Sequence, residues 1–146
     1  LLAVLFGLAD DRKANRILDA LSSAGIDDPH PVRAVCRPIP PGGPGWREYM
    51  GRHGQNGEYR YHNGGAWPFI GGFWVMALSS MGRDREAGDA LASLARMNSA
   101  GGWAFHEWFH GRTGEPMGMK GQSWNAAMYI LAERSLERRL FGDLPR

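Results

Sequence analysis

The sequence has little cysteine, little net charge and no long apolar run, and each shortage excludes a class of protein. Cys36 is the only cysteine among 146 residues, so an internal disulfide framework is excluded and a reducing compartment such as the cytoplasm is favoured. The formal net charge is only +2, and the basic residues form no stripe along which a nucleic acid could bind. The apolar start, Leu1 to Leu8, is too short to span a membrane. We therefore expect no nucleic-acid or membrane partner, and the oligomeric state is left open.

The two ends of the chain differ in character. The chain does not begin with Met, and its first residues are already apolar, as if a buried helix had been entered midway. This start lacks the basic residues of a signal peptide. The last residues, Phe141 to Arg146, have the composition of a tail. We therefore expect residues 1–146 to be the C-terminal portion of a longer protein.

Apolar residues recur at helical spacing in four segments. Capping residues and glycines mark most of their ends. No segment shows the alternation typical of a strand, so the predicted fold class is all-α. The predicted helices run from Asp10 or Asp11 to Gly25, from about Phe69 to Gly82, from the turn at 82–84 to about Asn98, and from about Ser123 onward.

The connections between these helices alternate between short and long. Residues 26–65 and 98–121 are long and rich in glycine, and the first of them is also rich in proline, so regular structure is not expected there. Antiparallel helices connected in this way place every long loop at the same end of the assembly. The two loops also hold most of the Trp, His and Tyr residues, and we expect a functional site where they meet.

The second long loop contains the segment Trp103-Ala-Phe-His-Glu-Trp-Phe-His-Gly111, which permits two incompatible chemistries. His106 to His110 matches the H-E-x-x-H pattern of zinc peptidases, which requires a helix that brings both imidazoles to one metal ion. The surrounding glycines argue against such a helix, and only a carboxylate such as Glu115 or Glu133 could complete the ligands. The other interpretation is a single carboxylate, Glu107, among aromatic residues, as in sites that cleave sugars.

Three segments, in order, resemble the signatures of one group of enzymes. Tyr61-His-Asn-Gly-Gly-Ala-Trp-Pro68 resembles the YHNGG(S/T)WP signature of neutral/alkaline invertases and the YHxGxxWP of glycogen-debranching amylo-1,6-glucosidases. Trp103 to Gly111 is similar to their second signature, in which a Glu precedes two aromatic or apolar residues and Asp-Gly. Gly118-Met-Lys-Gly-Gln-Ser-Trp124 resembles the stretch before their final helix. The resemblance extends from about Tyr61 to Leu136.

This resemblance implies an (α/α)6 toroid, the six-hairpin glycosidase barrel, of which this chain would supply the C-terminal part. It also implies inverting hydrolysis of α-glucosidic linkages in sucrose or α-glucan oligosaccharides by two carboxylates. The general base of the group falls on Glu107, and the general acid is an Asp upstream of this chain. The implied partners are a carbohydrate substrate and the missing N-terminal half of the barrel. No cofactor or metal is implied, and the isolated chain is expected to be inactive.

Further residues of these segments are candidates for contact with the sugar. Aromatic rings can stack on the C–H faces of a pyranose, although each can also be plain packing. Asn63 can bond sugar hydroxyls or simply shape its turn. His110 stands where the resembled group has Asp. The candidates for substrate contact are His62, Asn63, Trp67, Trp103, Trp108, His110, Gln122 and Trp124.

As a general base, Glu107 would need a hydrogen-bond partner. Surrounding aromatic rings favour its protonated form, so a base at this position needs a hydrogen-bond donor. His106 or His110 is the expected donor. Trp74 and the methionines, including Met119, are expected to serve packing. A non-catalytic helical fragment that binds carbohydrate or another protein is the remaining alternative.

Overall fold

The computed structural model describes residues 1–138, which are mostly helical. The expected tail, Phe141 to Arg146, lies outside the described residues. None of the helices within the described part is long and apolar enough to cross a membrane. The helices are α1 (Leu2–Leu5), α2 (Asp11–Ser23), α3 (Glu48–Gly51), α4 (Pro68–Ser80), α5 (Asp84–Trp103) and α6 (Ser123–Arg138), and the strands are β1 (Trp108–Phe109) and β2 (Pro116–Met117).

The four predicted helices are confirmed as α2, α4, α5 and α6, and their ends follow from local chemistry. The Asp10 side chain accepts a hydrogen bond from the Lys13 N–H at 2.8 Å, so Asp10 rather than Asp11 is the N-cap of α2. Pro68 occupies the first turn of α4, where its missing N–H costs nothing. The regular part of α5 ends at Ala100, whose ψ of 132° is not helical.

The elements within the two long loops were not predicted. The first long loop contains the single turn α3, followed by a 3-10 turn at Arg52–Gly54. The second contains the antiparallel pair of β1 and β2, in which Trp108 lies opposite Met117 and Phe109 opposite Pro116. The expectation that no strand forms is therefore wrong at these positions. Strands of two residues are too short to show alternation, and both residues of β1 are buried.

Helix α4 lies at the centre of the molecule, with α5 and α6 packed against it. It is buried on most of its surface, as expected for a helix that is apolar nearly all round. Trp74 of this helix is 1% exposed, which confirms its predicted place in the core. A smaller apolar cluster lies beneath the loops and consists of Ala66, Leu94, Met97 and Phe109.

Both long loops lie at one end of the helices, as the alternation of connections predicts. Ala66 and Phe109 exchange two main-chain hydrogen bonds of 2.8 and 2.7 Å, which join the first loop to β1. The short turn between α4 and α5 lies at the opposite end. There Arg83 bonds the Asn15 side chain at 2.8 Å and Asp19 at 2.7 Å. The helices are thus fixed at one end and carry the loops at the other.

Candidate active site

Glu107 lies between the end of α5 and β1, and main-chain groups of residues 118 and 119 determine where its carboxylate points. The Glu107 N–H donates to the Met119 carbonyl at 2.8 Å. In return, the Met119 N–H donates to Glu107 Oε2 at 3.3 Å. Gly118 lies beneath, with φ at +70°, and a Cβ there would be 2.6 Å from the same oxygen. A residue with a side chain at position 118 would therefore displace the carboxylate.

The residues before Glu107 are bonded to the start of α6. Asn125, fully buried in the first turn of that helix, donates from its side chain to the carbonyl of His106. This buried amide was not predicted as a site residue, because nothing in its sequence context separates it from a core position. Three hydrogen bonds in all join these residues to the start of α6: Gly121 N–H to the Ala104 carbonyl at 2.9 Å, Gln122 N–H to the Phe105 carbonyl at 3.1 Å, and Asn125 Nδ2 to the His106 carbonyl at 2.8 Å.

Glu107 lines a cleft of about 620 Å³. The walls are mostly aromatic or aliphatic, and Glu107 is the only carboxylate among the described residues that line it. A largely apolar cleft with few polar groups is typical of a small-molecule site. The lining residues are Ala34, Tyr61, His62, Trp67, Phe69, Ile70, Glu107 and Trp124.

One wall of the cleft is a stack of three rings from the first signature. The Tyr61 and His62 rings are 4.2 Å apart and nearly parallel, and the Trp67 ring is 5.3 Å from that of His62. Trp67 Nε1 donates to the Tyr61 carbonyl at 3.1 Å, which fixes the indole. Trp124, which is 48% exposed at the start of α6, also lines the cleft.

The structure thus brings together four of the nine predicted site residues, namely Glu107, His62, Trp67 and Trp124. Tyr61 and Phe69 also line the cleft and were not predicted. Both belong to or adjoin the first signature, so their aromatic character was the available signal.

Asn63 does not face the cleft, although it lies between residues that do. It is 3% exposed, and its amide bonds the first loop in three places. These bonds correspond to its turn-shaping role, and they occupy both hydrogens of the amide. Asn63 Oδ1 accepts from Ile39 N–H at 2.8 Å, and Nδ2 donates to the Ile39 and Asn56 carbonyls at 2.9 and 3.0 Å.

Two predicted tryptophans lie elsewhere. Trp108 is 6% exposed and packs edge-on against Tyr61, with ring centres 5.9 Å apart. It therefore supports the cleft wall from behind. Trp103 is 53% exposed beside Phe105, outside the lining of the cleft. Gln122 precedes α6, and its carbonyl accepts the N–H groups of Asn125 and Ala126.

The prediction that His106 or His110 donates to Glu107 is wrong, since neither histidine forms a hydrogen bond with its carboxylate. His110 Nδ1 accepts from main-chain N–H groups of its own turn. The buried His106 ring lies edge-on to Phe109, and its Nδ1 has no hydrogen-bond partner among the described residues. Burial lowers the pKa of both imidazoles, and the charge of Lys120 lowers that of His106 further. Met119, expected to serve packing, supplies the donor from its main chain while its side chain is 71% exposed.

The segment from His106 to His110 is not helical. It enters strand β1, and the two imidazoles lie in separate surroundings. The helix that the zinc-peptidase pattern requires is therefore not formed. Within residues 1–138, no group of three or more His, Cys, Asp or Glu side chains is placed to share a metal ion.

Comparisons with known sequences point to one family. Residues 1–139 match the family described as alkaline and neutral invertase. The chain is 28% identical over 142 residues to cytosolic invertase 1 of Oryza sativa subsp. japonica, and 29% identical over 140 residues to probable alkaline/neutral invertase D of Arabidopsis thaliana. These alignments cover 94% and 92% of this chain but only 25% and 26% of the relatives. The chain thus spans about a quarter of their length.

A solved structure shares the fold. The crystal structure of the GH63 mannosylglycerate hydrolase of Thermus thermophilus, in complex with Tris and D-glycerate, superimposes with a TM-score of 0.64 at 18% identity. The match covers 89% of this chain and 28% of that one. The described residues therefore have the fold of part of an (α/α)6 toroid, which confirms the predicted fold class.

Proposed function

This chain belongs to the alkaline and neutral invertase family, and we propose that it carries the general base of an inverting glycoside hydrolase. The proposal depends on the position of Glu107, which lines an aromatic cleft and is the one acidic residue among its described lining residues. The N–H of Met119 donates to this carboxylate. This bond holds the carboxylate in place, as a general base requires.

The reaction then divides between two carboxyl groups. A water bound in the cleft loses a proton to Glu107, and its oxygen forms a bond to the anomeric carbon. The glycosidic C–O bond breaks on the opposite face, and a protonated carboxyl group gives its proton to the leaving oxygen. Inverting enzymes place the two carboxyl groups about 6.5–9.5 Å apart, with room for the water between them. The acid is supplied by a part of the polypeptide upstream of residue 1.

Sucrose is the leading substrate, followed by α-glucan oligosaccharides. The family and its relatives are named as invertases, which favours sucrose. The rings of Tyr61, His62 and Trp67 offer a stacked apolar wall of the kind on which pyranose C–H faces pack. Trp124, from the start of α6, offers a further aromatic surface in the same cleft. Relatives are named as cytosolic, chloroplastic and mitochondrial, and we place this protein in the cytoplasm.

We further propose that residues 1–146 are the C-terminal portion of a single toroid. Several large apolar side chains are exposed on the described part, and the remaining helices of a toroid would cover them. They include Leu2, Phe6, Leu8 and Ile130, which are 50, 60, 80 and 56% exposed. The two relatives are about four times as long as the segment that this chain matches, which is in keeping with this arrangement.

The test uses the gene with its upstream sequence and follows products by proton NMR. Wild type and Glu107→Gln are compared on sucrose, maltose, isomaltose, trehalose and glucosylglycerate. We expect an α-linked glucoside to release β-glucose first, and Glu107→Gln to lower kcat by about 10²–10⁴-fold. Glu115→Gln is the matched control, because Glu115 is an exposed carboxylate of the same loop that does not line the cleft.

Two results would contradict the proposal. Cleavage that Glu107→Gln leaves unchanged would move the base to another residue. Release of α-glucose first would replace the inverting mechanism by a retaining one.

A further inference from the structure

The segment from Glu107 to Met119 is one hairpin, with Glu107 at its open end and His110 at its turn. Strands β1 and β2 form the middle of the hairpin. At the turn, the His110 N–H donates to the Glu115 carbonyl, and the Gly114 N–H donates to the His110 carbonyl, both at 2.8 Å. At the open end, Glu107 and Met119 exchange the two bonds that place the carboxylate. Loss of register at the turn therefore changes the alignment of Glu107 with its donor.

The side chain of His110 accepts hydrogen bonds from the turn that follows it. Nδ1 lies 3.3 Å from the Arg112 N–H and 3.2 Å from the Thr113 N–H. Asp and Asn side chains make the same kind of bond, to N–H groups two or three residues on, in Asx-turns. An imidazole can make it only when Nδ1 carries no proton, so the pattern assigns the hydrogen to Nε2. The histidine thus provides an acceptor at the position where the resembled signature has Asp.

We propose that His110 is a positioning residue for Glu107: its neutral imidazole closes the hairpin turn as an Asp side chain would, and thereby holds the Glu107 carboxylate against the Met119 N–H. This inference rests on the proposed role of Glu107. It assigns His110 to the support of the base rather than to contact with the sugar.

The surroundings of His110 favour its neutral form. The Tyr59 ring stacks on the imidazole with centres 6.3 Å apart, and the Arg112 guanidinium lies 4.1 Å from the centre of the same Tyr59 ring. Burial, followed by the charge of Arg60, lowers the pKa of His110, and Arg112 adds to this effect while Glu115 opposes it. A protonated imidazole has two donors and no acceptor, so the turn would lose both bonds.

The pH dependence follows from this lowered pKa. The support from His110 is complete above the ordinary histidine pKa of about 6.5. It is lost as the pH falls through the lower pKa of the folded protein. Asn at position 110 keeps an acceptor oxygen and does not titrate, whereas Leu removes the acceptor altogether.

The kinetic test compares kcat and kcat/KM of wild type, His110→Asn and His110→Leu from about pH 4 to pH 8, a range that includes the Glu and His titrations. It uses the protein with its upstream sequence. We expect the Asn variant to retain the neutral-pH kcat and to extend activity to lower pH. We expect the Leu variant to lose kcat by roughly 10²-fold with little change in KM, as for a misplaced catalytic group. An Asn profile identical to wild type, or a Leu variant with full kcat, would overturn the proposal.

A spectroscopic measurement is independent of turnover. In protein labelled with ¹⁵N-histidine, the His110 signal is identified by its absence in His110→Asn. We expect a neutral imidazole protonated at Nε2 that titrates below the ordinary histidine pKa. A proton on Nδ1 at neutral pH would refute the turn contact directly. If no sugar is cleaved by the folded wild type, the proposed function fails, and the NMR result still decides whether His110 closes the turn.

Discussion

Main-chain groups, more than side chains, determine the position of Glu107. Its own N–H and one carboxylate oxygen are both bonded to Met119. A main-chain donor has no rotamers of its own, so its direction is fixed by the fold of the hairpin. The side chain of Met119 is free to point outward, and it is 71% exposed. The carboxylate can reach this donor because Gly118 has no side chain in the way.

We predict that Gly118→Ala impairs catalysis through displacement of the base. A Cβ at this position would lie 2.6 Å from Glu107 Oε2, and a misplaced base costs roughly 10²-fold in kcat. The matched control is Gly121→Ala, because φ is +76° there and no atom lies within 4 Å of the added Cβ. Both substitutions carry a backbone strain of about 1–2 kcal/mol.

Thermal unfolding and kcat, measured on both variants in the protein with its upstream sequence, separate strain from displacement. We expect Gly118→Ala to lose more stability than Gly121→Ala, because its Cβ would also lie 2.8 Å from Glu107 Cβ and from Trp108 Cδ1. We expect kcat per folded molecule to fall in Gly118→Ala alone. Equal losses of kcat in the two variants would mean that strain, and not contact with the carboxylate, governs this position.

At the scale of elements, the helices were predictable because each leaves a repeated pattern in the sequence. The N-cap at Asp10 and the proline at the start of α4 fix two boundaries by chemistry that can be read from single residues. The hairpin leaves no such pattern, because β1 and β2 have two residues each and β1 is buried on both sides. The same limit applies within the site. The signatures pointed to Glu107, His62, Trp67 and Trp124, which line one cleft, whereas a donor from the main chain of Met119 has no residue type to reveal it.

We predict that Leu94→Ala in α5 weakens both the fold and the site. Leu94 is fully buried and belongs to the cluster with Ala66 and Phe109, so it supports the junction of the first loop with β1. Truncation of a buried leucine costs about 2–5 kcal/mol in the free energy of unfolding. Leu94→Met keeps the volume and is expected to cost less than about 1.5 kcal/mol.

Urea denaturation of the two variants measures these costs, and kcat reports whether the hairpin has moved. We expect the alanine variant alone to lose kcat beyond its loss of folded protein. A cost below about 1 kcal/mol for Leu94→Ala would show that the cavity collapses and that the cluster is not rigid.

At the scale of the whole molecule, the described residues would form only one side of the proposed active site. The cleft has aromatic walls and one carboxylate, whereas the proposed mechanism requires two. Large apolar side chains are exposed at α1 and α6, including Phe6 and Ile130. Apolar surface of this kind marks an interface, which the remaining helices of the proposed toroid would cover.

We predict that the 146-residue chain alone does not hydrolyse sucrose, whereas the protein with its upstream sequence does. The isolated chain is also expected to bind a hydrophobic dye and to associate, because its apolar faces are uncovered. Product formation, dye fluorescence and light scattering measure these properties, with the longer protein as the control. Substantial turnover by the isolated chain would show that a carboxylate within residues 1–146 serves as the acid.

The bonds of Arg83 to Asn15 and Asp19 lie at the end of the helices opposite the cleft, and this separation bears on how such proteins diversify. The helices are held together at one end, while the loops that line the cleft emerge at the other. Ala34, Tyr61 and His62 of the first loop line the cleft, so substitutions there can alter which sugar the proposed site accepts without loosening the helical core, since surface loops on a rigid scaffold tolerate change. One helical scaffold of this kind can therefore carry sites of different specificity, because the loops can change while the packing of the helices keeps the protein stable.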